Sequence, residues 1–155
     1  MKVQNLLNHC NAIVQNRQTT LNVPFDLFQL EDANYQYRLL VNGNLPNSIG
    51  VYVYSDPDGN VVYVGKAGSL KHNGYANHTI SKRNLASRDK DENGRDVITA
   101  VYLKNIMQEQ NWRCIDITAI TFNNNEFVPG FVEASLLQHY FRSEGGRIPK
   151  YNKSF

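Results

Sequence analysis

Apolar positions recur at helical spacing near the start of the chain, where Val3, Leu6, Leu7, Cys10, Ile13 and Val14 share one stripe. This spacing predicts an amphipathic helix over 3–17. Residues 19–34 hold Pro24 and several apolar positions without a clear period and read as irregular. Tyr35 to Val41 alternates loosely, which predicts a short strand. Turn chemistry follows in Asn42-Gly43-Asn44 and Leu45-Pro46-Asn47. Two β-type runs then flank Asp56-Pro57-Asp58-Gly59, in the stretch GVYVYSDPDGNVVYVGK at 50–66. Alternating apolar runs around such a turn predict a β-hairpin.

With a four-residue loop at 56–59, Ser55 faces Asn60 and Tyr52 faces Tyr63, both phenols on one sheet face. A slip of one residue would separate them. Gly65 is expected to let the backbone turn and Lys66 to leave the strand end. Residues 67–80, rich in Gly, Asn and His, read as a loop. Thr79 is a fitting N-cap for a helix from 80 to about 88. Asp89 to Asp96 reads as a solvated loop, with Asp96 capping a helix over 97–110. Residues 112–122 are apolar on both alternations apart from Asp116, which predicts a central strand covered on both faces. A last helix is expected over 131–142. The fold class is therefore α/β (α+β): a small, mainly antiparallel three-stranded sheet flanked by helices, with an N-terminal helical arm over 1–49.

The chain has 155 residues, 41% apolar and 19% charged, as a single globular domain would. No apolar run approaches the ~20 residues of a membrane span, and the N-terminal stretch lacks a signal-peptide core. Cys10 and Cys114 lie far apart and suggest neither disulfide nor zinc, so a reducing cytoplasm is expected. A net charge of +2 permits a nucleic-acid partner without arguing for one. His9, His72, His78 and His139 show no metal-ligand spacing, Gly65-Lys66 lacks a nucleotide-loop context, and no Ser or Cys sits in a nucleophile elbow.

Glu133 is the most informative single residue. At helical spacing it shares a stripe with Leu136, Leu137 and Tyr140. A carboxylate there is costly unless paired, protonated or bound to a cation. The plainer reading is a helix-start Glu favoured by the macrodipole.

Gly50-Val51-Tyr52 and Tyr63-Val64-Gly65-Lys66 resemble the two signature tripeptides of the GIY-YIG nuclease family. GVY…YVGKA looks especially like its excision-repair and restriction members. Glu133-x-x-Leu136-Leu137 followed by Pro149-x-x-Asn152 is similar to the family's C-terminal motif, with the link between them lengthened by 143–148. Arg83 stands in place of the helical arginine, farther from Lys66 than in the repair relatives; Arg88 is a rival for that role. Ser87 stands where some relatives carry His or Tyr. The resemblance covers 50–152 and leaves the arm outside.

That resemblance implies hydrolysis of DNA phosphodiester bonds with one Mg²⁺ per site, held by Glu133. Tyr52 is assigned as general base, Tyr63 as positioning donor and Lys66 as activator, an assignment the sequence alone could reverse. Arg83 grips the phosphate and Asn152 orients the site. Lys71, His72, Asn73 and Asn77 offer donor-rich contacts to base edges, and Arg88 is counted with the DNA-contacting residues. The expected partner is double-stranded DNA, with room for a homodimer on a palindromic site. The chain ends three residues after Asn152, which places specificity in the arm and the 67–80 loop. The expected activity is that of a site-specific restriction endonuclease. The alternatives are a structure-specific repair nuclease and, from another class, a non-cleaving nucleic-acid-binding module.

Overall fold

Strand β8 (Cys114–Phe122) has no polar face to give to water, and its neighbours explain why. In the computed structural model, which describes residues 1–76 and 78–154, β8 lies inside a four-stranded sheet of order β1-β8-β2-β3. All three pairings are antiparallel. Strand β1 is Asn16–Pro24, β2 is Gly50–Ser55 and β3 is Val61–Ala67. Ile115, Ile117 and Ala119 of β8 pack on one face with Tyr52 and Tyr54, beneath helices α2 (Ala33–Asn44) and α4 (Thr99–Gln110). Ile120 packs on the other face with Val51, Val53 and Val64, beneath α1 (Val3–Ile13) and α5 (Pro129–Ser143). Helices on both faces explain the missing alternation.

Several expectations are corrected. The sheet has four strands, not three, because strand β1 takes the end of the helix expected over 3–17, which stops at Ile13, and the start of the supposedly irregular segment 19–34, and is followed by a 3₁₀ helix at Phe25–Gln29. Only Leu21 and Val23 of β1 are buried, so an apolar period hardly registers. Residues 35–41 form part of α2, not a strand. The positions that bury are Tyr37 and Val41, one helical turn apart. Within 66–80 a miniature hairpin forms from β4 (Leu70–Lys71) and β5 (Gly74–Tyr75). The helix at 80 stops at Arg83 as α3, with Thr79 accepting from the Lys82 amide as its cap. The stretch 89–96 is not a free loop: β6 (Ser87–Lys90) and β7 (Asp96–Ile98) pair around a turn in which Asp91 Oδ1 accepts from the amides of Asn93 and Arg95. Asp96 thus lies in a strand, and Ile98 occupies the N-cap of α4.

The central hairpin forms with a different register. Tyr54 faces Tyr63 and Tyr52 faces Gly65, with a bulge between Tyr54 and Ser55. The shift is by two residues, so Tyr52 and Tyr63 keep a common face as diagonal neighbours. Gly65 does not turn the chain; it continues β3. A Cβ there would lie 2.6 Å from a Tyr63 ring carbon and 2.7 Å from Cζ of Tyr52. Glycine is needed because the Tyr52 ring lies across the backbone. Gly50 has a similar cause, since a Cβ there would sit 2.2 Å from the Ile120 carbonyl oxygen.

Strand β3 ends the sheet, and the C-terminal segment seals part of its outer edge. The Tyr151 amide donates to the Val62 carbonyl at 2.9 Å. The Asn152 side chain then serves as a strand neighbour: its Oδ1 accepts from the Val64 amide at 2.9 Å and its Nδ2 donates to the Val64 carbonyl at 2.8 Å. An otherwise open strand edge is thereby satisfied. Among the described residues, no helix is long and apolar enough to cross a membrane.

Candidate active site

Alternation along β2 brings Tyr52 and Tyr54 to the same face, and Tyr63 joins them from β3. The ring centroids of Tyr54 and Tyr63 lie 5.1 Å apart, and those of Tyr52 and Tyr63 6.0 Å apart. Into this layer comes Arg88 from β6. Its Nη1 donates to Tyr52 Oη at 2.7 Å and Tyr63 Oη at 2.9 Å, and Nη2 donates to Tyr54 Oη at 3.1 Å. Nη2 also lies 3.4 Å from the Arg83 carbonyl oxygen. The guanidinium carbon stands 5.3 to 5.7 Å from the three ring centroids, within cation–π range. Behind them Asn84, fully buried, accepts from Tyr54 Oη at 2.6 Å and, through its carbonyl, from Tyr37 Oη at 2.9 Å.

Burial holds the Tyr52 and Tyr54 phenols well above the ordinary tyrosine pKa, against the opposing charge of Arg88. Burial also works against the Arg88 charge. The oxygens of Tyr54, Tyr52 and Tyr63 outweigh it, and the guanidinium stays firmly protonated. Tyr52 is 0% exposed. Tyr63 is half-buried and lines a cleft of about 420 Å³ together with Arg88, Tyr102, Glu133, Tyr151 and Asn152. Tyr102, from α4, is raised to about 12 by burial.

Glu133 enters the same cleft from α5. Val132, Leu136 and Leu137 take the buried stripe of that helix, leaving Glu133 half-buried at its margin. It is the fifth residue of α5, past the first turn in which the helix dipole acts. Burial raises its carboxyl above the ordinary value, and the charges of Lys66 and Arg83 oppose that. Among the described residues Glu133 makes no hydrogen bond or ion pair. Lys66 and Arg83 act on it at a distance and leave its oxygens free.

Lys66 does not stand beside the phenols. In the observed register it faces Val51 and so projects on the α5 face of the sheet, where a Cβ on Gly130 would meet its Nζ at 3.6 Å. Phenols and ammonium therefore converge around the edge of β3 from opposite faces. Arg83, exposed at the end of α3, shares a second cleft of about 290 Å³ with Lys66, Lys71 and His78. Lys71, His72 and Asn73 are exposed on the β4–β5 hairpin and its turn. Asn77 lies outside the described residues. Arg88 is committed to three phenol oxygens, and Arg83 is the more exposed of the two arginines. Asn152 touches the site through the Val64 backbone.

The arrangement thus gathers Tyr63, Glu133 and Asn152 in one cleft, brings Lys66 and Arg83 within electrostatic reach, and keeps Tyr52 behind Tyr63. Sequence reasoning missed Tyr54 and Asn84. The repeat Tyr52-x-Tyr54 within a strand carried a signal for the first; nothing local marked the second.

Over 72 residues the chain is 39% identical to UvrABC system protein C of Carboxydothermus hydrogenoformans. That span is 44% of this chain and 12% of the other protein, so the chain matches only a small part of that relative's length. No family model matches the chain, and no solved structure does.

The donor set can be judged for a metal. Among the described residues no group of three or more His, Cys, Asp or Glu side chains could close around an ion. One free, half-buried carboxylate at a cleft does suit a hard cation that keeps most of its water, as Mg²⁺ does.

Proposed function

We propose that the chain is a DNA endonuclease of the GIY-YIG type. The observation that carries this reading is the joining of Tyr63, Glu133 and Asn152 in one cleft, with the cations Lys66 and Arg83 acting on the carboxylate. The resemblance at GVY and YVGK and the likeness to UvrABC system protein C point the same way.

Hydrolysis of a phosphodiester needs a proton acceptor for the attacking water and positive charge for the phosphate and the leaving oxygen. Arg83 is the exposed guanidinium whose planar fork can match two phosphate oxygens. Lys66, on the α5 face, adds a point charge beside the same oxygens. Of the three phenols bonded to Arg88, Tyr63 is the one that borders the cleft and can exchange a proton with it. Tyr52, enclosed and bonded to Arg88, supports it. Our assignment therefore moves proton transfer from Tyr52 to Tyr63. Glu133 would hold a divalent ion, which when bound supplies charge at the leaving oxygen. Asn152 fixes the C-terminal segment against β3 and so shapes the cleft wall.

Within this reading the substrate is double-stranded DNA, and the action is restriction-like, with specificity drawn from the β4–β5 hairpin and residues 1–49. Incubating the protein with plasmid and Mg²⁺, then sequencing the ends, tests it. Discrete fragments are expected. Cuts placed by DNA structure rather than sequence would favour a repair nuclease. Binding with no cleavage, at stoichiometric protein, would refute the endonuclease.

A further inference from the structure

Arg88 reaches the phenols through a backbone irregularity. Ser87 pairs with Ile98 and Asp89 with Val97, so Arg88 is the extra residue of a β-bulge. A bulge re-aims a side chain that regular alternation would place elsewhere. The hairpin carrying it is anchored to α4, where Thr99 donates to the Ala86 carbonyl through both its amide and its hydroxyl.

Stability does not account for this placement. The neighbouring carboxylate, Asp89, is paired outward with Lys153 at 2.8 Å. Among the described residues Arg88 has no carboxylate partner, and its Nε is buried without an acceptor. Four hydrogen bonds hold the guanidinium, yet apolar replacements for buried charged groups are commonly as stable or more so.

Proton direction supplies the reason. An oxygen that accepts from Arg88 must aim its own O–H elsewhere. Tyr54 aims at Asn84 Oδ1. Tyr52 and Tyr63 share Nη1, and Tyr52 is enclosed. Only Tyr63, of these three, borders the cleft with Glu133. We propose that Arg88 is a positioning residue for the reaction: it turns the Tyr63 O–H into the cleft and stabilises negative charge on that oxygen. This rests on the endonuclease reading for its consequence but not for its test.

The cleavage arm is a double-mutant cycle under single-turnover conditions with Mg²⁺. Arg88→Met and Tyr63→Phe should each lose on the order of the 10²–10⁴ attributed to acid–base groups. The pair together should lose about as much as Tyr63→Phe alone. Losses that multiply would overturn the proposal. Arg88→Lys keeps the charge but cannot span both phenols, so it should fall between; it also carries the cycle if Arg88→Met is unfolded.

The second arm needs neither metal nor DNA. The near-ultraviolet tyrosine band at fixed neutral pH, read as each protein minus its own Tyr63→Phe form, isolates Tyr63 and reports the hydrogen bonding of its oxygen. The band should shift in Arg88→Met relative to wild type, and Glu133→Gln should not reproduce that displacement. Equal Tyr63 bands with and without Arg88 would overturn the proposal. Should wild type bind DNA without cutting it, the endonuclease reading falls and this arm alone decides.

Discussion

Replacing Gly65 with alanine tests the tyrosine layer directly. The added Cβ would lie 2.6 Å from Tyr63 Cε1, 2.7 Å from Tyr52 Cζ and 2.8 Å from Tyr52 Oη. Packed carbons sit ~3.5–4.0 Å apart, so both rings must retreat by about 1 Å. Neither can retreat freely, since Tyr52 is fully buried and each phenol is held by Arg88. Overpacking of this kind costs about 1–3 kcal/mol. A retreat of that size also stretches the 2.7 Å bond from Arg88 beyond hydrogen-bonding range. A hydrogen bond to a charged group contributes roughly 1.5–3 kcal/mol, so the sum is roughly 2.5–6 kcal/mol. At ~2–4 °C per kcal/mol for a chain of this size, the melting temperature should fall by roughly 5–24 °C. Thermal unfolding by circular dichroism measures this, and Tyr52→Leu is the control background in which the alanine should cost less. A Gly65→Ala protein that melts within ~2 °C of wild type and cuts plasmid normally would refute the argument that the Tyr52 ring requires a glycine here.

Glu133→Gln should abolish cleavage while DNA binding in Ca²⁺ persists, read by filter binding; a variant cutting at wild-type rate would remove the metal assignment. Because burial raises the Glu133 carboxyl in the folded state, its ionisation weakens the fold. In metal-free protein the Gln variant should therefore match wild type below the ordinary carboxyl range. It should gain stability as pH rises through that range and level off above the folded-state value, as thermal unfolding across pH would show. Asn152→Ala removes two hydrogen bonds to Val64 and should cost about 1–3 kcal/mol in urea unfolding, with faster hydrogen exchange at the Val64 amide; unchanged exchange would contradict the edge-sealing role. Replacing Lys71, His72 and Asn73 together by Ala should blur discrimination between DNA sites more than it weakens salt-dependent binding, and an identical fragment pattern would move specificity to residues 1–49.

What the residues revealed beforehand followed from how each element earns its burial. Helices α1, α4 and α5 and strand β8 each bury several side chains in one regular pattern, so their periods or uniform apolarity were plain. Strand β1 buries two residues and takes its place from nine backbone pairings with β8, which leave no mark on composition. Helix α2 was misread because Tyr35-x-Tyr37 imitates alternation, whereas Tyr35 is 56% exposed and Tyr37 is 1% exposed. The hairpin register slipped by two because the loop is one residue longer than expected, with Ser55 facing Val61, and a bulge between Tyr54 and Ser55 adds the second residue. Residue types in the candidate site were legible through resemblance. Their arrangement was not: Lys66 lies across the sheet from Tyr63 because β3 runs on through Gly65 instead of turning there, and Arg88 points inward because of a bulge.

The order of strands in space has a consequence for how the molecule comes into being. The strand holding β1 to β2 is the last of the sheet to be synthesised, and its partners lie as far as Asn16 from Phe122. Until residues 114–122 emerge, β1 has no ladder at all, and the hairpin of β2 and β3 stands alone, as isolated hairpins seldom do in water. Long-range pairings that close late make folding slow and all-or-none. A nascent chain arrested before Cys114 should therefore be open to protease throughout, and the phenols, the arginine and the carboxylate should become ordered in one event rather than in stages.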